Sequence, residues 1–214
     1  MQAATPLRAA SPFAPVFSAG DLGAVKPGCG RDVPLSVIWQ LLEQVPDPEI
    51  PVVSIRELGI LRDVRRLEDG VIEAVITPTY SGCPAIGQIE DDIRAALAGA
   101  GFTTKVTTQL APAWTTDWID QTTRDKLNRY GIAPPHAIES AHRGAYQTIQ
   151  FTPNLIANNL IYSSALGRFD SQSVKCPRCS SQNTTETSHF ASTACKALYK
   201  CLDCLEPFDY FKPY

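Results

Sequence analysis

The chain has 214 residues, seven cysteines and a formal net charge of −3, with an isoelectric point near 5.6. That length allows one medium domain or two small ones, and small domains need help to stabilise their cores. No basic block occurs, which argues against nucleic-acid binding. No run approaches the roughly 18 apolar residues of a membrane span, and no secretory signal opens the chain. A soluble cytoplasmic protein is expected, and in that compartment cysteines stay reduced rather than forming disulfides.

Residues 1–31 are rich in Ala, Pro and Gly and lack periodicity, so a disordered leader is expected, with no role for Cys29. From Val33 to Val45, Leu35, Ile38, Trp39, Leu42 and Val45 recur at helical spacing. Pro46-Asp47-Pro48 must stop that helix, because proline removes a donor and forces its predecessor out of the helical region. The segment 47–51 then reads as a stiff acidic turn, and on residue type alone its two carboxylates are the solvated end of a helix stop. A hairpin follows: Ile60–Leu67, the turn Glu68-Asp69-Gly70, and the alternating Val71–Ile76.

The second strand delivers the chain to Thr77-Pro78-Thr79-Tyr80-Ser81-Gly82-Cys83-Pro84. Cys83-Pro84 reads as the opening of a helix whose Ile86, Ile89, Ile93 and Leu97 form one face and whose end is marked by Gly99 and Gly101. A cysteine at a helix start meets unpaired N–H groups and the positive end of the dipole, which favour the thiolate. Cys83 is therefore a candidate reactive or iron-binding thiol, although cysteine also serves simply as a small buried hydrophobe. Lys105–Leu110 reads as a further strand. The order helix-strand-strand-helix-strand predicts an α+β fold, a small mixed sheet with helices on one face. A helix is expected over 116–130, ending at Gly131. Residues 136–174 read as a linker whose Ile149, Phe151, Leu155, Ile156, Leu160 and Ile161 are unusually apolar for a free segment.

Near the C-terminus, Cys176, Cys179, Cys201 and Cys204 give Cys-x2-Cys-x21-Cys-x2-Cys. Two such knuckles complete a tetrahedral four-thiolate site, expected to hold a structural Zn2+, with an iron–sulfur cluster as the rival occupant. Thr184–Phe190, Lys196–Lys200 and the residues around Phe208–Phe211 read as strands of a zinc ribbon. So short a segment buries little surface, and the metal is expected to supply its folding free energy. Cys195 belongs to neither knuckle, and His189 reads as a surface residue. The expected organisation is a leader at 1–31, an α/β domain with a trailing helix at 32–135, a linker at 136–174 and the ribbon at 175–214.

Taken together, Asp47-Pro48-Glu49-Ile50-Pro51, Glu57-Leu58-Gly59, the Thr77-x5-Cys83-Pro84 turn and the four-cysteine ribbon, with the tail stretches Ser192–Cys201 and Glu206–Phe211, resemble the family of accessory subunits of the bacterial phenylacetyl-CoA epoxygenase system. Residues 33–110 are similar to the wider family of SufT-like and eukaryotic cytosolic iron–sulfur targeting domains. The resemblance covers about 33–135 and 174–214. It implies an iron–sulfur-assembly-type domain, a role in maturing iron centres of the oxygenase or reductase subunit, and Asp47, Glu49, Thr77 and Cys83 as functional residues. Where that family usually has Asp, this chain has Glu57, which keeps the carboxylate but adds a methylene. The resemblance also makes a homodimer plausible. A thiolate beside carboxylates suits transient Fe or Fe–S binding, because the ligand set is too small to trap the ion. Two other readings stand beside an assembly factor acting through Cys83. One is a structural adaptor that binds oxygenase or reductase subunits. The other is an enzyme with a cysteine nucleophile, for which the sequence shows no histidine near the turn to act as base, although His136 or His142 could approach in space.

Overall fold

The computed structural model describes residues 33–136 and 174–214. The expected leader with Cys29, and the apolar residues between Ile149 and Ile161, lie outside them. The chain divides into two compact units, Met1–Thr123 and Arg124–Tyr214.

The first unit follows the predicted order. Helix α1 (Leu35–Leu42) buries Ile38, Leu41 and Leu42; strands β1 (Leu61–Arg66) and β2 (Ile72–Ile76) form the antiparallel hairpin, in which Val64 faces Ala74. Gly70 adopts φ +85 at the hairpin turn, the left-handed region that the Asp-Gly pair was expected to supply. Helix α2 (Ile86–Gly99) then carries the chain to β3 (Thr104–Thr108), which pairs parallel to β2 and makes β2 the central strand. The buried face of α2 is Ile89, Ile93, Ala96 and Leu97. Each of its larger aliphatics contributes up to ~3 kcal/mol when fully buried. The helix ends in a Schellman motif: Gly101, at φ +85, donates to Ala98 O at 2.9 Å and Phe102 donates to Leu97 O at 2.9 Å.

Alternate residues of β2 look to opposite faces. Ile72, Ala74 and Ile76 belong to the apolar core. On the other face, Glu73 is buried among Arg65, Lys105 and Thr107, with contacts of 2.7, 2.9 and 2.7 Å. Its carboxyl is drawn down to about 2, first by the hydrogen bond from Lys105 and next by Thr107.

The single helix expected over 116–130 is broken. Thr116–Trp118 is one 3-10 turn, Ile119 is extended, and Asp120 accepts the N–H of Thr123 at 2.7 Å to start α3 (Gln121–Tyr130). An aspartate cap three residues before the donor outweighs helical continuity. Trp114 and Trp118 pack instead on the turn 54–60: the Trp114 indole N–H donates to Leu58 O at 2.9 Å, and Arg62 lies 3.4 Å from the centroid of the Trp118 ring. A Cβ on Gly59, at φ +71, would come within 2.9 Å of Trp118, so this position requires glycine.

The second unit is a four-stranded sheet in the order β4-β7-β6-β5. Strands β5 (Thr184–Ser188), β6 (Lys196–Cys201) and β7 (Pro207–Phe211) are the ribbon, antiparallel throughout. Strand β4 (Ile132–Ala133) comes from the other side of the undescribed stretch and pairs parallel to β7. Ala133 joins Val174, Cys176, Ala197, Cys201, Phe208 and Tyr210 in one small core. Gly131 ends α3 at φ +101, and a Cβ there would meet the Arg178 guanidinium at 3.0 Å. Among the described residues no helix is long and apolar enough to cross a membrane.

Candidate functional site

In the first unit the acidic segment is a closed loop. Pro46 and Ser54 form an isolated antiparallel bridge, and the Asp47 N–H donates to Val53 O at 2.9 Å. The Asp47 side chain faces inward, accepting the N–H groups of Glu49 and Ile50 at 2.9 and 2.8 Å. It is therefore buried and not the solvated carboxylate of a helix stop; Glu49 is half-buried. Immediately after this loop, Ser54 and Glu57 bond reciprocally: Ser54 N–H to Glu57 Oε2 at 2.9 Å, Glu57 N–H to Ser54 Oγ at 3.2 Å. That capping box gives the Glu57 carboxylate a structural task in the turn.

Cys83 lies in the turn before α2, whose capping residue is Ala85, so the helix starts later than the sequence suggests. The Cys83 N–H donates to Tyr80 O at 3.2 Å and its carbonyl accepts from Ile86 at 3.4 Å. Burial pushes the thiol above its ordinary value, and the negative charges of Asp47 and Glu49 push the same way. The Ala85 backbone N–H and the Thr79 hydroxyl pull it down and are outweighed. The expectation of a thiolate favoured by the helix start is thus corrected: desolvation and two carboxylates reverse the sign. The structure does bring Cys83 within the field of Asp47 and Glu49. Thr77 is fully buried and extends the sheet, its N–H donating to Ile60 O at 2.8 Å. Thr79 was not singled out by the sequence reading, although its spacing of four from the cysteine lies within the quoted motif.

At neutral pH such a thiol keeps its proton, which makes it a poor nucleophile. A divalent cation changes the balance. Were one bound there, it would displace the proton and offset the negative charges that disfavour the thiolate, so its binding would be coupled to proton release.

In the second unit the four sulfurs of Cys176, Cys179, Cys201 and Cys204 all lie within 4.8 Å of one another. Cys176 and Cys204 are 3.8 Å apart, and Cys179 and Cys201 are 3.5 Å apart. Tetrahedral thiolates on zinc, each about 2.3 Å from the ion, have sulfurs about 3.8 Å apart, so the set fits a bound metal. The two knuckles repeat one another. In each, a backbone N–H points back at the first sulfur, from Arg178 two residues on to Cys176 Sγ (3.4 Å) and from Cys204 three residues on to Cys201 Sγ (3.5 Å). Ser180 and Leu205, each just after the second cysteine of its pair, adopt φ +63 and +66. Cys201 is drawn down to about 7, first by the Cys204 backbone N–H. Cys195 is buried with its sulfur 3.1 Å from the Thr193 hydroxyl, and His189 is exposed and pairs with Glu186 at 3.2 Å; neither is part of the cluster.

Fold and site define an iron–sulfur-assembly-type domain joined to a metal-binding zinc ribbon. Residues 35–108 match the family model of the iron–sulfur cluster assembly protein, and residues 163–212 match that of the PaaD zinc beta ribbon domain. The chain is 46% identical, over 82% of its own length and 90% of the relative's, to an Escherichia coli (strain K12) protein named as a component of 1,2-phenylacetyl-CoA epoxidase. It therefore belongs to the PaaD family. It is also 39% identical to the Fe-S protein maturation auxiliary factor YitW of Bacillus subtilis, over 44% of this chain and 84% of that one. Among solved structures, a DUF59 domain from Bacillus anthracis aligns with 28% identity over 43% of this chain and 89% of its own, at a TM-score of 0.40.

Proposed function

We propose that the protein is an accessory maturation factor of the phenylacetyl-CoA epoxidase complex, assisting assembly of an iron or iron–sulfur centre in the oxygenase or reductase subunit through Cys83. The observation that carries this reading is the half-buried, proton-holding thiol in the field of Asp47 and Glu49, within a domain matching the iron–sulfur assembly family. Cys83 would offer Fe(II) one soft ligand, with the Asp47 and Glu49 carboxylates acting on the ion through their field and not enclosing it, which suits a carrier that must release its cargo. The ribbon's closed set of four thiolates leaves no coordination position for substrate, and its role is to hold a structural zinc ion.

The test is anaerobic metal analysis beside activation of the client oxygenase in cells. Cys83→Ser is expected to keep about one zinc per chain, lose any bound iron, and lower client activation at least tenfold. Full client activity in that variant would sink the proposal.

Exposed leucines on the second knuckle, Leu202 at 48% and Leu205 at 64%, favour a second reading, in which the ribbon is an adaptor that docks epoxidase subunits. On that reading Cys201→Ser abolishes co-purification with the complex while Cys83→Ser changes nothing.

A further inference from the structure

The two knuckles are joined by a polar clamp that uses none of the metal ligands. Asp203, between Cys201 and Cys204, reaches across to the chain that follows the first knuckle. Its Oδ2 accepts from the Ser181 hydroxyl, and its Oδ1 accepts from the Asn183 side-chain amide at 2.8 Å. The backbone runs alongside: Leu202 N–H donates to Asn183 O at 2.8 Å, and Asn183 N–H donates to Ser181 Oγ at 3.0 Å. These bonds continue the β5–β6 ladder past its terminal pair, Thr184 with Cys201, and so extend strand pairing onto the loops that carry the cysteines. The chain before the clamp is fixed as well, since Cys176 N–H donates to Ser181 O and Ser180 N–H to Cys176 O, both at 2.9 Å.

We propose that Asp203 is a positioning residue for the four-cysteine site, holding Cys176–Cys179 and Cys201–Cys204 at ion-binding separation and slowing release of the metal. Without the Asp203 bonds, the two pairs are tied beyond the ladder only by the Leu202–Asn183 backbone bond and the ion. Each transient separation of the knuckles then offers a chelator two open coordination positions. Hydrogen bonds made directly to metal ligands typically change affinity about 10- to 100-fold; the clamp holds the loops and not the sulfurs, and it is exposed to water, so its effect falls at the lower end. This inference rests on the ribbon holding zinc, as proposed above.

The full chain, reduced and loaded with zinc, is mixed with excess chelator, and zinc transfer is followed with time. Asp203→Ala is expected to release zinc about tenfold faster than the unaltered chain. Asn183→Ala, which leaves Ser181 on the carboxylate, should accelerate release about threefold and serves if the first variant loads poorly. The double variant should be no faster than Asp203→Ala, because both changes remove the same bond. With Co(II) in place of zinc, the tetrathiolate absorption should keep its position in all variants, marking an effect on retention and not on the ligand set. Equal release rates across the series, or a shifted cobalt spectrum, would overturn the role of Asp203. Failure of the unaltered chain to hold zinc would instead overturn the metal reading.

Discussion

The two units stabilise themselves by different means. The first buries a set of large aliphatics to below 2% exposure: Ile38, Leu42, Ile55, Leu58, Ile60, Ile72, Ile76, Ile89, Ile93 and Leu97. The second contributes only Leu127 and the aromatic Phe211 at that burial, and two of the members of its small core, Cys176 and Cys201, belong to the four-cysteine cluster. Burying apolar area suffices for a domain with a full core, whereas a ribbon this small depends on an ion. Their thiols diverge accordingly. Four thiols face one another in a closed cluster, whereas Cys83 stands apart in the field of two carboxylates, which on the function proposed above suits exchange.

The largest test of that contrast is removal of the ion. Chelation, or Cys201→Ser, should cost the second unit on the order of 10 kcal/mol and abolish amide protection in β5, β6 and β7. Protection in α2 and β2 should persist, as followed by hydrogen exchange. Loss of protection in both units together would mean that the aliphatic core does not stand alone. Next in size is Ile93→Ala, which empties a fully buried site on α2 and is expected to cost about 2–5 kcal/mol. Urea denaturation should show the loss in the first unit, with zinc content unchanged.

The smallest effect is electrostatic and also belongs to the first unit. The Glu73 carboxyl is lowered from 4.5 to about 2 by its contacts with Lys105, Thr107 and Arg65. A depressed carboxyl stabilises the folded state above its unfolded value, and that contribution fades as pH falls from about 4.5 toward 2. Glu73→Gln should therefore flatten the stability profile of the first unit across that window and lower its stability at neutral pH. An unchanged acid slope in the variant would show that Glu73 is not what the acid titrates.

How much of this was legible in the sequence depends on how local the cause is. The α2 face and the Asp-Gly hairpin turn follow from spacing and one residue's φ; Ile89, Ile93 and Leu97 are buried as expected, while Ile86 at the helix start is only half-buried. Cys-x2-Cys pairs are likewise local, and their sulfurs come together as expected. The protonation of Cys83 was misread because its determinants are distant in sequence: Asp47 and Glu49 reach it only through the fold, with a sign opposite to that of the helix start. The break in 116–130 turned on one aspartate at position 120, whose capping strength the helical pattern concealed. A two-residue strand such as Ile132–Ala133 carries no periodicity at all, so its pairing with β7 was beyond sequence reasoning. The clamp on Asp203 left a faint signal, a short acid inside one knuckle and Ser-x-Asn just after the other.

That two-residue strand bears on how the four-cysteine core can be disturbed. Ala133 and Val174, on either side of residues 137–173, pack in one core cluster with Cys176 and Cys201. A substitution at Ala133 is thus felt where two of the clustered cysteines are packed, although the strand and the ribbon are far apart in sequence.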